Sequence, residues 1–293
     1  MTCEDRNIFL RYFKETEEDV LEKKNYDELK FSDDFMFCKI MQNNPELCRE
    51  LLELVLDKEI GELVTLGKQY PIEITADGRG VRFDVYAKDD RSVIYDVEMQ
   101  NASKESLPKR ARYNQALIDL EQLERGAKFE ELGTSFVIFI CNFDLVPDAG
   151  RHKYTFLNLC AEDPEIALED GTAKLFLCST GTKNDISSEL AKFLSYVAGN
   201  APEDDLSRRL EEALVQARDN PLWRKEYMDL RDYIDEAREE GREEGRAEGQ
   251  ESGEGKMGRL SKALAREGRI DDICRAADDA EYRKQLYEEF AIE

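Results

Sequence analysis

The chain has 293 residues, 41% of them hydrophobic, enough to bury one sizeable core with an appended helical region. Its 66 acidic residues outnumber 42 basic ones, and the net charge of −24 repels nucleic acid at long range unless cations are concentrated locally. A single histidine, His152, leaves little room for Ser-His-Asp, Cys-His or His-metal chemistry, so carboxylates are the principal reactive groups.

In chain order, residues 1–27 mix Phe9, Leu10, Tyr12, Phe13, Val20 and Leu21 with charges, which predicts an amphipathic N-terminal helix without chemistry. Ser32 or Asp33 then caps a helix whose apolar stripe is Phe35, Phe37, Ile40 and Met41. Asn43-Asn44-Pro45 breaks it, and a second helix starts at Pro45 with Leu47, Leu51, Leu54 and Val55 inward. Residues 69–75, QYPIEIT, alternate weakly and predict the first strand of a sheet, followed by a turn at Asp77-Gly78-Arg79-Gly80.

Residues 81–100, VRFDVYAKDDRSVIYDVEMQ, predict a β-hairpin of two half-buried strands joined through Ala87–Ser92. Val81, Phe83 and Val85 alternate with Arg82, Asp84 and Tyr86, and Val93, Tyr95, Val97 and Met99 alternate with Ile94, Asp96, Glu98 and Gln100. A one-residue slip would carry a whole apolar set into water, so Asp84 has to oppose Asp96 or Glu98. The polar face then gathers Asp84, Asp96, Glu98 and Gln100. Such a row is either a solvated face or, because opposed acids repel, a site for a hard divalent cation.

After Gln100, the segment NASKESLPKRARYNQALIDLEQLERG reads as a helix with Pro108 near its start and Gly126 at its end. Between residues 104 and 112, Lys104, Lys109, Arg110 and Arg112 stand against Glu105 alone, a local positive patch in an acidic chain. TSFVIFICNF, residues 134–143, is a continuous apolar run suited to a strand buried on both faces, and KLFLC, residues 174–178, is another strand. His152 falls in a polar connection and is expected to be exposed. The elements predict an α/β sandwich. Seven scattered cysteines without a CxxC pair read as reduced core thiols, not a zinc site. With no signal peptide and no apolar run of about 18 residues, no membrane span is expected, and the cytoplasm is the expected compartment.

From residue 203 to 254 the chain holds 18 acids and 9 bases, with Gly241, Gly245, Gly249 and Gly253 recurring every fourth residue. No apolar residue occupies the repeat, which excludes a coiled-coil seam and leaves a solvated helix or a partly disordered linker. Apolar spacing returns at Met257, Leu260, Leu264, Ile270, Ile273, Leu286 and Phe290, which predicts a small helical pair. The expected divisions are an N-terminal extension over 1–27, a main domain over 28–200, an acidic linker over 201–256 and a helical segment over 257–293.

The run R-F-D-V-Y-A, a short gap, Y-D-V-E-M-Q and then R-A-R-Y-N-Q resembles the core of the PD-(D/E)XK nuclease family transposases, and D-F-M-F-C-K at 34–39 resembles their opening motif with Cys38 displacing a Lys. The resemblance covers roughly residues 28–180. It implies a restriction-endonuclease-like core, here with an acidic helical C-terminal extension, and metal-dependent hydrolysis of DNA phosphodiesters. On that match Asp84 and Glu98 are metal ligands for magnesium or manganese, with the Met99 carbonyl as a third. Gln100 stands where the motif has Lys, Asp96 accepts the proton of a water or helps orient the ion without binding it, and Arg112 with Gln115 lies beside the site. Lys109, Arg110 and Gln115 are the residues expected to meet DNA, and Asp34 is a further acid from the first helix. The rival readings are a catalytically weak or silent binding module that forms a homo-oligomer through its acidic tail, and an acidic DNA mimic.

Overall fold

In the computed structural model, which describes residues 24–67, 71–72, 81–102, 105–123 and 126–292, the apolar run at 135–141 lies in the middle of a mixed sheet. The strands are β1 (Leu63–Gly67), β2 (Pro71–Ile72), β3 (Val81–Arg82), β4 (Val85–Asp89), β5 (Ile94–Gln100), β6 (Ser135–Cys141), β7 (Lys153–Phe156) and β8 (Thr172–Cys178). Among the described residues six strands form one sheet in the order β1-β4-β5-β6-β8-β7. β5, β6 and β8 are mutually parallel, while β1, β4 and β7 pair antiparallel to their neighbours. The helices are α1 (Asp34–Asn43), α2 (Pro45–Leu56), α3 (Leu107–Gln122), α4 (Ser188–Val197), α5 (Asp205–Arg218), α6 (Pro221–Arg266), α7 (Ile270–Asp278) and α8 (Ala280–Glu289).

The parallel step from β5 to β6 needs a crossover, and α3 supplies it. It packs on the face of the sheet that carries Asp96 and Glu98. On the other face Val85, Ala87, Tyr95, Val97, Met99, Ile138, Ile140, Leu175 and Leu177 form a single core with α1, α2, α4 and α5. Both faces of β5 are therefore covered, and all seven of its residues are buried. The expectation of a half-buried strand is corrected here, and of the two readings of the polar row the solvated face does not hold for β5. Period-two alternation also occurs where the polar row lies beneath a helix.

The hairpin is tighter than its sequence suggests. Ala87 and Lys88 belong to β4, and the turn is confined to Asp89–Ser92, with Ser92 at φ 65°. Asp89 builds it: its carboxylate accepts from Arg91 N (3.0 Å), Val93 N (2.8 Å) and the Tyr95 hydroxyl (3.0 Å). Val81–Arg82 belongs to a separate two-stranded ladder with Pro71–Ile72. The first strand of the main sheet is Leu63–Gly67, not the segment 69–75. The rest of that segment, the 77–80 turn, Lys104 and residues 1–23 of the expected N-terminal helix lie outside the described residues.

The described residues up to Asp229 form one compact unit and those from Leu230 onward a second. In the first, α5 buries Leu206, Leu210 and Leu214 in the main core, although it falls in the stretch read as linker. In the second, Leu260, Leu264, Ala276 and Leu286 form a small core that gathers the end of α6 with α7 and α8. The glycine repeat is helical throughout, and a Cβ added at Gly241 or Gly245 would meet nothing within 4 Å.

Candidate functional site

β4 and β5 set Val85 opposite Val97 and Tyr86 opposite Asp96. The same register, carried one residue back, brings Asp84 opposite Glu98. Each carboxylate is tied to the other strand's backbone. Asp84 N donates to Glu98 Oε1 at 3.3 Å, and Met99 N donates to Asp84 Oδ2 at 3.0 Å. Gln42 of α1 donates to the Asp84 carbonyl at 3.0 Å, fixing the point where the chain enters β4.

From above, α3 adds two polar groups one turn apart. Arg110 Nη2 donates to Glu98 Oε2 at 2.5 Å, and Asn114 Nδ2 donates to Asp96 Oδ2 at 2.9 Å. Asp96, Glu98 and Asn114 are each 0% exposed. Asp96 Oδ1 and Asn114 Oδ1 have no hydrogen-bond partner, two orphaned acceptors in a covered layer. Leaving such a group unsatisfied costs about 1–3 kcal/mol, so the pair calls for a proton, a water or a cation.

The electrostatics agree. Burial raises the Asp84 carboxyl well above the usual carboxylate range, Glu98 and Asp34 push it further, and Arg110 with the Met99 amide pulls it back. Burial also raises Asp96, with Glu98 beside it, while Asn114 and Arg110 act the other way. Arg110 is itself raised, chiefly by Glu98. Such shifts in one cluster mark a candidate functional site.

The other expected residues are distributed unevenly. Gln100 lies on the same row as Asp96 and Glu98 and is 7% exposed. The Met99 side chain is in the opposite core, so only its backbone belongs to the site. Arg112 and Lys109 are exposed, and the cation that reaches the acids is Arg110. The expectation that Arg112 stands beside the site is thus corrected by helix phase. Leu107, Ala111, Asn114 and Ile118 form the inward stripe of α3, and position 112 falls outside it. Gln115 is buried, but it donates to Ser135 Oγ (2.7 Å) and Asp119 Oδ1 (3.0 Å), away from the acids. Asn114 and Gln42 were not foreseen. The apolar phase of α3 carries the signal for Asn114, whereas nothing local marks Gln42. Asp33 proves structural, accepting from Lys30 N at 2.7 Å and Lys24 Nζ at 2.8 Å. His152 is half-buried, not exposed, with Nδ1 3.2 Å from Asp185 Oδ1.

Among the described residues no three His, Cys, Asp or Glu side chains converge to cage a metal unaided. The donors present still suit a hard cation, since Asp84, Asp96, Glu98 and Asn114 offer oxygen only. Magnesium is usually held by one or two carboxylates completed by waters and substrate phosphate, so a two-carboxylate site fits it.

A family model described as PD-(D/E)XK nuclease family transposase matches residues 32–177, a span that contains every residue of this cluster. No curated protein and no solved structure matches the chain. No helix among the described residues is long and apolar enough to cross a membrane.

Proposed function

We propose that this chain, which through residues 32–177 belongs to the PD-(D/E)XK nuclease family transposases, is a metal-dependent DNA endonuclease acting at Asp84 and Glu98. The observation that carries the reading is the cross-strand anchoring of these two acids: Glu98 Oε1 accepts from the Asp84 amide at 3.3 Å, and Asp84 Oδ2 accepts from the Met99 amide at 3.0 Å. Groups held so firmly from both sides are preorganised. Asp84 and Glu98 would hold a magnesium or manganese ion, with the Met99 carbonyl as the family-implied third ligand. Such an ion, when bound, polarises a phosphoryl oxygen and lowers the pKa of water.

The chain's own residues do the rest. Asp96, with its unpartnered Oδ1, can hold a proton or orient a ligand without contacting solvent. Gln100 carries no charge at neutral pH, but its carboxamide both donates and accepts, which suits it to position a water molecule. Arg110 offsets part of the acidic charge and faces the place where a phosphate would gather more. Lys109 and Arg112, exposed on α3, extend the polar surface toward a DNA backbone, whereas Gln115 is buried and braces the helix on Ser135.

The test is nicking of supercoiled plasmid in magnesium by wild type, Asp84→Ala and Glu98→Ala. Only the wild type should nick, and equal nicking by all three would end the proposal. The silent binding module remains the second reading, because Glu98 Oε2 is already engaged by Arg110 and Gln100 is neutral. It predicts no magnesium or manganese affinity.

A further inference from the structure

We propose that Arg110 is the resident counter-ion of the acidic cluster and competes with a divalent cation for Glu98. The inference rests on Asp84 and Glu98 being ion ligands, and it deepens that reading by assigning the residue that governs occupancy. Both oxygens of Glu98 are committed, Oε1 to the Asp84 amide and Oε2 to Arg110. The amide is part of the strand pairing and stays. The guanidinium comes from a different element, α3, and can leave without disturbing β4 or β5.

It also has somewhere to go. The Arg110 side chain is 34% exposed, whereas Glu98 at its other end is 0% exposed. The acid is fixed under the helix, and its cation reaches it from the side that opens to water. Swinging the fork outward exchanges one charge-assisted bond for hydration. An ion can then use Glu98 Oε2.

One guanidinium also falls short of the charge it faces. Asp84, Asp96 and Glu98 share the layer, Asp34 adds to the field on Asp84, and Gln100 on the same row contributes no charge. Arg110 donates to one carboxylate, and Asp96 Oδ1 and Asn114 Oδ1 remain without donors. These buried, unpartnered oxygens are a second and independent sign that the arrangement with Arg110 is incomplete. A divalent ion brings twice the charge in a smaller volume and takes oxygen ligands from several directions, which a planar fork does not.

The experiment is calorimetric titration of manganese chloride into wild type, Arg110→Met and Arg110→Lys, with thermal melts of each in EDTA and in manganese. Arg110→Met should bind manganese at least about tenfold more tightly, because the competing charge is gone. It should also melt lower in EDTA and gain more from manganese than the wild type does. Arg110→Lys keeps a charge without the fork and should fall between the two. Should Arg110→Met fail to fold, Arg110→Lys decides alone: tighter binding than wild type supports the competition, and unchanged affinity overturns it. Equal or weaker manganese binding by Arg110→Met likewise overturns it. If the variant binds more tightly but the wild type fails to nick plasmid, the endonuclease reading falls and the role of Arg110 stands.

Discussion

Single side chains under α3 carry more consequence than their number suggests. Asn114 is the partner of Asp96, and replacing it with Ala would leave a buried carboxylate with both oxygens unsatisfied. Urea denaturation in EDTA should show Asn114→Ala less stable by about 1–3 kcal/mol. The raised carboxyls give a pH signature. Asp84 and Asp96 keep their protons in the folded chain above the pH, about 4, at which the unfolded chain releases them. The native state then binds more protons than the unfolded one, and the slope of unfolding free energy with pH is negative. Stability in EDTA should decline from about pH 4 up through the raised values and then level off. Asp144, Asp170 and Asp185, whose carboxyls are lowered, act below that window. An Asp84→Asn, Asp96→Asn double variant should flatten the decline, and an unchanged pH profile would count against proton retention by this pair.

At the scale of elements, the β4–β5 hairpin depends on one turn and α6 on its own backbone. Asp89 satisfies three amides, those of Gly61, Arg91 and Val93, and the Tyr95 hydroxyl, and it is 2% exposed. Asp89→Ala should destabilise the fold by about 2–4 kcal/mol in chemical denaturation, since several donors lose their partner together. In α6 Gly241 and Gly245 meet no packing partner among the described residues, with open space where a side chain would stand. Ala at either position should add about 1 kcal/mol to local helix stability. Amide exchange there should slow by roughly fivefold for each substitution. A loss of helicity on substitution would show that the row meets something this chain does not contain.

For the molecule as a whole, the −24 charge opposes the proposed engagement of DNA at long range, so cations on α3 have to offset it locally. Binding should weaken steeply with salt, and Lys109→Ala or Arg112→Ala should each reduce the log–log salt slope by about 0.9 if the residue meets a phosphate. Slopes that match the wild type would remove α3 from the interface. Much of this architecture is legible in the chain itself. Alternation over 81–100 fixes which acids share a face, because a one-residue slip would turn the acids into the apolar core that Val97 and Met99 occupy. The unbroken run at 135–141 suits a strand covered on both sides, and it forms β6 in the middle of the sheet. What the linear pattern does not carry is the lid over the acids. A polar row reads the same whether solvent or a helix lies above it, and Arg110 and Arg112 are chemically alike two positions apart. Their difference is one of helix phase against a particular sheet, and α3 takes that phase from where Leu107, Ala111 and Ile118 find cover. By itself the sequence determined that two strands meet within 81–100 and that Asp84 shares a face with Asp96 and Glu98, since those follow from short-range periodicity, while the choice between Asp96 and Glu98 as its partner came from the register of the folded hairpin. Only tertiary packing decided that Asp96 and Glu98 are buried beneath α3 and which cation reaches Glu98, because both depend on how a separate helix packs against the sheet.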